Sequence, residues 1–279
     1  MKKRVLFLII AIVLGGTSLG YLTFSGMNIN EIGLKVLSWV KKIKGESVDL
    51  TNIDAVLAPP IQHGQWTELL QQHVSPEGTV DYQGFIQDQQ RLDAYLDLLT
   101  NNPPGTNWSE EEQLAYWINA YNAFTVKLIL NHYPLASIKD IARGLPMINS
   151  PWDIKFFKIG DTDFDLNTIE HEILRKQFLE PRIHFAINCA SFSCPKLRNE
   201  AFEASILDKQ LNDQTEWFIH NPDKNRINDS EVQLSSIFSW FESDFTKEGS
   251  LITFLQQYKA DIREDLNIQY IDYDWSLNE

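Results

Sequence analysis

The chain carries little positive charge, and no stripe of lysine or arginine residues is interleaved with aromatic residues. Its 24 Lys and Arg residues stand against 38 Asp and Glu residues, which gives a formal net charge of −14 at pH 7. A protein that binds nucleic acid through bulk charge needs a basic surface that displaces counterions from the phosphates. The charge balance therefore argues against nucleic acid as a partner.

Cysteine is also scarce, since only Cys189 and Cys194 occur among the 279 residues. Four residues separate them, so the chain lacks the Cys-x-x-Cys motif of dithiol redox proteins. Together with distant histidines, this spacing fits no structural zinc pattern well, and neither a metal nor a cofactor is predicted. Internal repeats and low-complexity tracts are absent too, while 43% hydrophobic and 22% charged residues are typical of a globular fold.

One long apolar run is present, and it lies at the N-terminus. Three basic residues at positions 2–4 precede the run Val5–Phe24, which is about twenty residues long and just sufficient to span a bilayer. Because basic residues stay on the cytoplasmic side, the rest of the chain is expected to be exported. Residues 1–24 are predicted to anchor the protein in the inner membrane, facing the periplasm, with a signal peptide cleaved near Gly20 as the alternative. The absence of a cysteine just after the run argues against a lipoprotein anchor.

Residues 25–60 are predicted to form a juxtamembrane linker. Apolar residues there have helical spacing and the lysines lie largely on the other side, which predicts a short amphipathic helix leading off the membrane. Ala58-Pro59-Pro60 closes this section. A single globular domain is predicted over residues 61–279.

Helical patterns dominate this domain. Apolar spacing predicts one helix through Trp66 and Val74 and a second through Leu92 and Leu99. A third begins at Ser109, because Ser109 and Glu112 have the spacing of a capping box. Two further helices are predicted around residues 169–174 and 203–220, the first with Asn167 and Glu170 as a second capping box.

Short strands are predicted between the later helices. Residues 154–161 and 163–166 indicate a hairpin across Gly160-Asp161. Further short strands or turns are expected near residues 227–234. The fold class predicted from these patterns is α+β, a helix-rich single domain around a small antiparallel or mixed sheet.

The stretch 182–195 is the most informative part of the chain, because it holds both cysteines, one histidine and two serines. Ile183, Phe185 and Ile187 alternate with more polar residues, which predicts a strand over 183–188. The pattern then breaks into small and polar residues and stops at Pro195, which cannot continue a ladder. This arrangement is typical both of a functional site and of a turn held by a disulfide.

Three motifs together resemble a known family. They are Trp117–Ala123 (WINAYNA), Ile169–Arg175 (IEHEILR) and Ile183–Pro195 (IHFAINCASFSCP). They resemble the domain of unknown function numbered 547, and the resemblance covers roughly residues 61–222. It implies that the three motifs belong to one domain, found in bacterial envelope proteins and in plants. A fold like that of papain-like cysteine proteases or transglutaminases is compatible with this resemblance.

A cysteine-dependent enzyme needs a thiolate, a nearby histidine and a polar group that orients the imidazole. The catalytic candidates are Cys189 as nucleophile, His171 or His184 as base, and Glu170 or Asn188 as orienting group. On an unbroken strand, His184 and Cys189 would face opposite sides, so they meet only if the chain turns near Asn188. His171 approaches from the preceding helix and avoids this difficulty.

Asn119, Tyr121 and Asn122 are candidate binding residues in the third helix, and Ser193 and Cys194 are candidates in the cysteine stretch. Asparagine is an unfavourable residue within a helix unless its amide group is used. Asn119 and Asn122 are therefore predicted either to hold neighbouring loop backbone or to line a ligand pocket.

Two functional hypotheses follow from these residues. The first is a cysteine-dependent hydrolase or acyl-transfer enzyme that acts on an amide or peptide bond, with a peptide or small molecule as substrate. The second is a non-catalytic envelope module that binds a protein partner and whose core is stabilised by a Cys189–Cys194 disulfide. Both place the protein in the cell envelope, in contact with the membrane through its N-terminal segment.

Overall fold

A long and almost fully buried helix lies at the centre of the described fold. It runs over Glu110–Leu130, and residues 114–126 and 128–130 are all buried. A helix that is apolar on every side must be covered on every side, unlike the amphipathic helices at a protein surface. The helix begins with the predicted capping box. The Ser109 side chain accepts from the Glu112 backbone N–H, and the Glu112 carboxylate accepts from the Ser109 backbone N–H. This prediction is confirmed.

The computed structural model describes residues 59–142, 150–228 and 230–279. The predicted anchor at 1–24 and nearly all of the predicted linker at 25–60 lie outside these ranges. Within them, no helix combines the length and the apolar character that a membrane span requires. Residues 59–104 and 108–279 group into one compact unit.

The helices follow in chain order, with the central helix as α4. They are α1 (Gly64–His73), α2 (Tyr82–Gln87), α3 (Gln89–Asn101), α4 (Glu110–Leu130), a π-helix (Thr168–Leu174), α5 (Arg175–Gln177), α6 (Ile183–Ala186), α7 (Leu207–His220), α8 (Ile237–Trp240), α9 (Glu242–Phe245) and α10 (Leu251–Gln256). Within the described ranges, short 3₁₀ helices lie at Ile138–Ala142, Pro151–Asp153 and Ala204–Ile206. The helices predicted in sequence around residues 66–74, 92–99 and 203–220 are confirmed as α1, α3 and α7.

Two small sheets complete the described part. β1 (Phe157–Ile159) and β2 (Thr162–Phe164) form the predicted antiparallel hairpin, and Gly160 at its turn has a φ of 58°. β3 (Arg226–Ile227) pairs antiparallel with β4 (Val232–Ser235), which pairs parallel with β5 (Ile268–Ile271). The described part of the chain is 49% helical with sheets of two and three strands, so the predicted α+β class is confirmed.

Helix α6 lies where two hydrophobic cores meet. Ile183 and Ala186 pack in the larger core around α4, whereas Phe185 packs in a smaller core beside the three-stranded sheet. His184, between them in sequence, is only 3% exposed. Burial on both sides fixes the orientation of this short helix and therefore of the His184 ring.

The strand predicted over residues 183–188 is wrong, because Ile183–Ala186 forms a single helical turn. An alternating pattern predicts a strand only when one set of residues faces solvent. Here residues 183–188 are all buried, so the alternation does not separate a core face from a solvent face. The two cores on either side decide the conformation of this segment.

The capping box predicted at Asn167 and Glu170 is also wrong. The Asp165 side chain accepts from the Thr168 backbone N–H at 2.7 Å, and Asn167 makes no cap bond. The helix that follows is a π-helix over Thr168–Leu174. Its wider turns occur mainly as short segments, frequently at functional sites.

Candidate functional site

A cavity of about 170 Å³ collects most of the residues that the sequence identified. Tyr121 reaches it from α4, Glu170 and His171 from the π-helix, and His184 from α6. The loop after α6 contributes both cysteines, Cys189 and Cys194. The remaining walls come from residues 152, 167, 187, 195, 237, 240, 241, 273 and 275, many of them aromatic.

The loop that carries Cys189 is shaped by Asn188 and Ala190. The Asn188 side chain accepts from the Ala190 backbone N–H at 2.8 Å and donates to the Pro195 carbonyl at 2.7 Å. Ala190 has a φ of 61°, a left-handed conformation that costs a residue with a Cβ atom of order 1 kcal/mol. This turn brings Cys189 and Cys194 together at the cavity wall.

The sulfur atom of Cys189 contacts three groups that can donate hydrogen bonds. The Cys194 Sγ lies 2.8 Å away, the Ser191 Oγ 3.1 Å and the Tyr273 hydroxyl 3.2 Å. Burial raises the pKa of the Cys189 thiol, but these hydrogen bonds outweigh burial and lower the pKa to about 7. The site therefore stabilises the thiolate of Cys189 near neutral pH.

Cys194 differs from Cys189 in burial and ionisation. Its side chain is buried, and burial together with the neighbouring Cys189 thiolate raises its pKa well above the ordinary value. Both cysteines are free thiols in this structure. The disulfide suggested by their spacing stays a prediction.

Glu170 is a buried carboxyl group in the same cavity, 8% exposed. Its Oε2 accepts from the Tyr121 hydroxyl at 3.2 Å. Burial raises the pKa of Glu170 to about 7, the Tyr121 hydrogen bond opposes this, and the charge of Cys189 raises it further. Glu170 therefore interacts electrostatically with the Cys189 thiolate and exchanges its proton near neutral pH.

His184 is held by a partner that lies 60 residues away in sequence. Its Nε2 is 2.9 Å from the Asp244 Oδ2, and its ring stacks on Phe241 with centroids 4.0 Å apart. Burial raises the pKa of Asp244, but hydrogen bonds from His184 and Arg175 hold it well below its ordinary value. The ionised Asp244 carboxylate can only accept a hydrogen bond. The Nε2 atom of His184 therefore carries the ring proton and donates the hydrogen bond to Asp244.

The neutral form of His184 is favoured as well. Burial lowers the pKa of His184, although the hydrogen bond to Asp244 opposes this shift. With the proton on Nε2, the Nδ1 atom of the neutral ring carries a lone pair and can accept a proton. His184 and Asp244 thus form an oriented imidazole–carboxylate pair, and the His184 side chain lines the same cavity as the Cys189 thiol.

His171 also lines the cavity but is oriented differently. Its Nδ1 lies 3.1 Å from an Arg175 nitrogen, and Arg175 donates from Nε to Asp244 at 2.6 Å. Burial and then the Arg175 charge lower the pKa of His171. Arg175 therefore links the two histidines through Asp244, and His184 rather than His171 has the carboxylate partner.

The candidate asparagines lie outside the cavity wall. Asn119 donates to the Phe202 carbonyl and accepts from the Phe202 N–H, at 2.8 and 2.9 Å. Asn122 bonds the Ala186 carbonyl and the Asn188 N–H in the same way, at 3.0 and 2.8 Å. Of the two roles predicted for these amides, the one observed is the holding of loop backbone, and Asn122 supports the cysteine loop directly.

Ser193 and Asn188 are likewise engaged with backbone. The Ser193 Oγ accepts from the Asp274 N–H at 2.9 Å, while the Ser193 N–H donates to the Asp274 carbonyl at 3.1 Å. The Asn188 amide is occupied by the turn around Ala190 and by Asn278, which donates to its oxygen at 3.3 Å, and among the described residues it bonds no histidine. Neither residue lines the cavity.

The C-terminal segment 273–278 forms a strap over the cysteine loop. Phe192 N–H donates to the Ser276 carbonyl at 2.7 Å, and Ser191 and Leu277 form an isolated antiparallel bridge. This pairing places the Tyr273 hydroxyl 3.0 Å from the Ser191 Oγ and beside Cys189. Tyr273 also joins an aromatic wall with neighbouring ring centroids 4.4–5.8 Å apart, formed by Trp152, Trp240, Tyr273 and Trp275.

Sequence reasoning missed Asp244 and Tyr273, although both contact a predicted site residue. Asp244 follows the aromatic pair Trp240-Phe241, and Tyr273 stands in the motif Tyr273-Asp274-Trp275. The concentration of aromatic residues in these two polar stretches is the only sequence signal that points to them. Within the described residues, no cluster of three or more His, Cys, Asp or Glu side chains has the arrangement of a metal site.

The family comparison agrees with the predicted resemblance. A family model described as protein of unknown function, DUF547, matches residues 105–219. The chain resembles the DUF547 family. This confirms the predicted resemblance, over a narrower range than residues 61–222. No curated protein and no solved structure matches the chain.

The DUF547 match covers one part of the cavity and not the other. Tyr121, Glu170, His184 and Cys189 lie within residues 105–219. Asp244, which holds the His184 imidazole, and the strap 273–278 lie beyond the end of the match. The site is thus assembled from the matched segment and from the C-terminal part of the same chain.

Proposed function

We propose that this protein is a cysteine-dependent hydrolase or acyl-transfer enzyme that acts on an amide or peptide bond. One observation carries the proposal. The Cys189 sulfur lines a cavity and contacts two hydroxyl groups and one thiol that stabilise its thiolate. A thiolate held near neutral pH in a partly exposed position is the ordinary nucleophile of such enzymes.

The reaction proceeds in two steps. The Cys189 thiolate attacks the carbonyl carbon, a C–S bond forms, the C–N bond breaks, and the amine leaves with a proton. Water or a second amine then attacks the thioester, the C–S bond breaks, and the thiol is restored. Hydrolysis and acyl transfer therefore use the same residues and differ only in the acceptor of the acyl group.

Two groups in the cavity supply and accept protons. Glu170 keeps its proton up to about pH 7 and interacts with Cys189, so it is the donor to the leaving amine. His184 offers the Nδ1 lone pair, with Asp244 holding the ring, so it is the acceptor for the attacking water. Asp244 takes the orienting role for which Glu170 and Asn188 were the sequence candidates.

The aromatic wall supports a substrate with an apolar group next to the scissile bond. A cavity of about 170 Å³ holds one side chain or a similar fragment, and the four rings of the aromatic wall line it together with Tyr121 and Phe241. A peptide or a small amide meets this requirement. The proposed relation to papain-like or transglutaminase-like folds is consistent with these roles. The apolar run predicted to anchor residues 1–24 in the membrane supports an activity in the cell envelope.

The rate at which Cys189 reacts with iodoacetamide should rise with pH and reach half of its maximum near pH 7, because only the thiolate reacts. Mass spectrometry of tryptic peptides would locate the label. The Cys189→Ser variant is the control for labelling elsewhere. Hydrolysis of a panel of fluorogenic peptide amides should be lost in the same variant.

A different result would favour the binding module. Freshly prepared protein that takes up no label before reduction, and binds a partner equally well as a Cys189→Ser, Cys194→Ser double variant, would contradict the enzymatic proposal. A midpoint near the ordinary thiol pKa would show that the hydrogen bonds at Cys189 do not activate it.

Replacing Tyr273 by phenylalanine should shift the alkylation midpoint of Cys189 to higher pH, because one donor to the thiolate is removed while the aromatic ring is kept. Tyr270→Phe is the matched control, since Tyr270 is 41% exposed and does not line the cavity. Equal midpoints in the two variants would show that the strap does not contribute to thiol activation.

A further inference from the structure

Two thiols of different character meet at the cavity wall. Cys189 is partly exposed and lines the cavity, whereas Cys194 is 5% exposed. Their sulfur atoms are 2.8 Å apart, and the Cys189 N–H also points to the Cys194 Sγ at 2.9 Å. In the proposed acyl transfer Cys194 only helps to stabilise the Cys189 thiolate, a role that a hydroxyl group fills equally well, so the reaction does not account for a second sulfur atom at this position.

The surroundings make Cys189 the more accessible and more easily ionised sulfur, whereas Cys194 is buried and stays protonated. The hydroxyl oxygens of Ser191 and Tyr273 lie 3.1 and 3.2 Å from the Cys189 sulfur, and the Ser191 hydroxyl donates to Tyr273. Lys224 is buried and donates from Nζ to the Phe192 carbonyl in the same loop, so a fixed positive charge lies near both sulfurs. Glu170 is the acidic group facing Cys189 from the π-helix. Oxidation begins at the exposed thiolate, because thiolate character and exposure decide which cysteine is attacked.

We propose that Cys189 is a site of reversible oxidation by a hydroperoxide, with Cys194 as the resolving thiol. In the first step the Cys189 thiolate attacks the peroxide oxygen, the O–O bond breaks, and an alcohol or water leaves after taking a proton. Cys189 is oxidised to a sulfenic acid, and the peroxide is reduced. In the second step the Cys194 sulfur attacks the Cys189 sulfur, the S–S bond forms, and the S–O bond breaks.

The second step needs no proton from outside the two cysteines. The Cys194 proton passes to the departing hydroxide, so the step releases one water molecule and requires no other base. An external dithiol restores both thiols and becomes a disulfide itself. The sulfurs are already in contact across a loop closed by the bond from Cys194 N–H to the Ser191 carbonyl, at 3.0 Å, so no distant segment has to approach.

The oxidised pair lacks a free nucleophile at the cavity. Oxidation therefore protects Cys189 from sulfinic and sulfonic acids, which thiols do not reduce. The inference depends on the thiol pair alone and does not require the hydrolase activity.

The test treats the folded protein with hydrogen peroxide at neutral pH and follows intact mass and alkylation of the two cysteines. The wild type should lose two hydrogen atoms and all alkylation, and should regain both thiols after incubation with dithiothreitol. The Cys194→Ser variant keeps a hydrogen-bond donor beside Cys189 but has no resolving sulfur. It should gain one oxygen atom, react with dimedone at Cys189, and gain a second oxygen as peroxide is increased.

The Cys189→Ser variant is the matched control, and it should remain unoxidised at Cys194 under the same conditions. Alkylation of Cys189 in untreated Cys194→Ser protein establishes that this variant is folded around a reactive thiol. The proposal is overturned if the wild type keeps both thiols alkylatable at peroxide levels that oxidise Cys194→Ser. It is equally overturned if both proteins accumulate the sulfinic acid at the same rate.

Discussion

Replacing Asp244 by alanine should lower the free energy of unfolding by about 3 kcal/mol, near the lower end of the cost of removing one partner from a buried ion pair. The carboxylate accepts from His184 at 2.9 Å and from Arg175 at 2.6 Å, and its side chain is only 12% exposed. Its removal leaves the His184 ring, 1% exposed in its side chain, without its carboxylate partner. Urea denaturation followed by circular dichroism measures the loss.

Two further variants make this test specific. Asp244→Asn keeps an acceptor atom in place and loses only the charge, so it should cost less than alanine. Glu248→Ala removes one negative charge from an exposed position four residues away and should cost little. Equal stability of the Asp244→Ala and Glu248→Ala proteins would show that the imidazole–carboxylate pair does not stabilise the fold.

The Asp244 contribution also has a defined pH dependence. Its pKa is lower in the folded protein than the ordinary 3.8, so the stabilisation is present above that pH and is lost as the pH falls further. The difference in stability between wild type and Asp244→Ala should therefore shrink in acid below pH 3.8.

The wild-type protein should lose about 3 kcal/mol of its free energy of unfolding between pH 4.5 and about pH 7, and replacing Glu170 by glutamine should abolish this loss. The magnitude follows because each unit of pKa difference corresponds to about 1.4 kcal/mol. The ordinary pKa of the carboxyl is 4.5, and burial raises it to about 7 in the folded protein. The neutral acid therefore contributes its full stability below pH 4.5. This contribution is lost as the pH rises to about 7, because only the unfolded chain ionises in that interval.

Glutamine is neutral at every pH and keeps an acceptor for the Tyr121 hydroxyl, so the variant lacks this loss. Its stability relative to wild type should increase by the stated amount between pH 4.5 and pH 7. Glu172→Gln, in the same π-helix with an exposed side chain, is the matched control. A stability difference that stays constant across this interval would mean that folding does not raise the pKa of Glu170.

A protonated Glu170 also sets the pH range of the proposed reaction. The nucleophile requires the thiolate of Cys189, while the leaving amine requires the acid form of Glu170. Both groups titrate near pH 7, so the productive combination is most populated around neutral pH. The two groups repel each other as anions, and this repulsion keeps one proton on the pair.

Many local features followed from the sequence because neighbouring residues determine them. The Ser109–Glu112 capping box and the turn at Gly160 depend on residues within a few positions of each other. The start of the third helix was predicted from this capping box, and the fold class from the succession of helices and short strands. Four of the five catalytic candidates, Cys189, Glu170, His171 and His184, line one cavity, whereas Asn188 does not.

Only the tertiary structure decided the conformation of the His184 segment. Its alternating pattern is the same for a half-buried strand and for a helical turn placed between two cores. The outcome depends on Phe185 packing beside the three-stranded sheet while Ile183 packs against α4. Such packing involves residues far away in sequence, which a local pattern does not contain.

The partners of the candidate site were likewise set by the fold. The composition and motifs of the sequence determined that a cysteine, two histidines and a glutamate are available for a site in an acidic α+β domain. The tertiary structure decided that Asp244 orients His184 and that Tyr273 donates to Cys189, across separations of 60 and 84 residues. It also assigned Asn119 and Asn122 to loop backbone. Hydrogen bonds between distant residues depend on how helices and strap pack together, and chain order alone does not specify that packing.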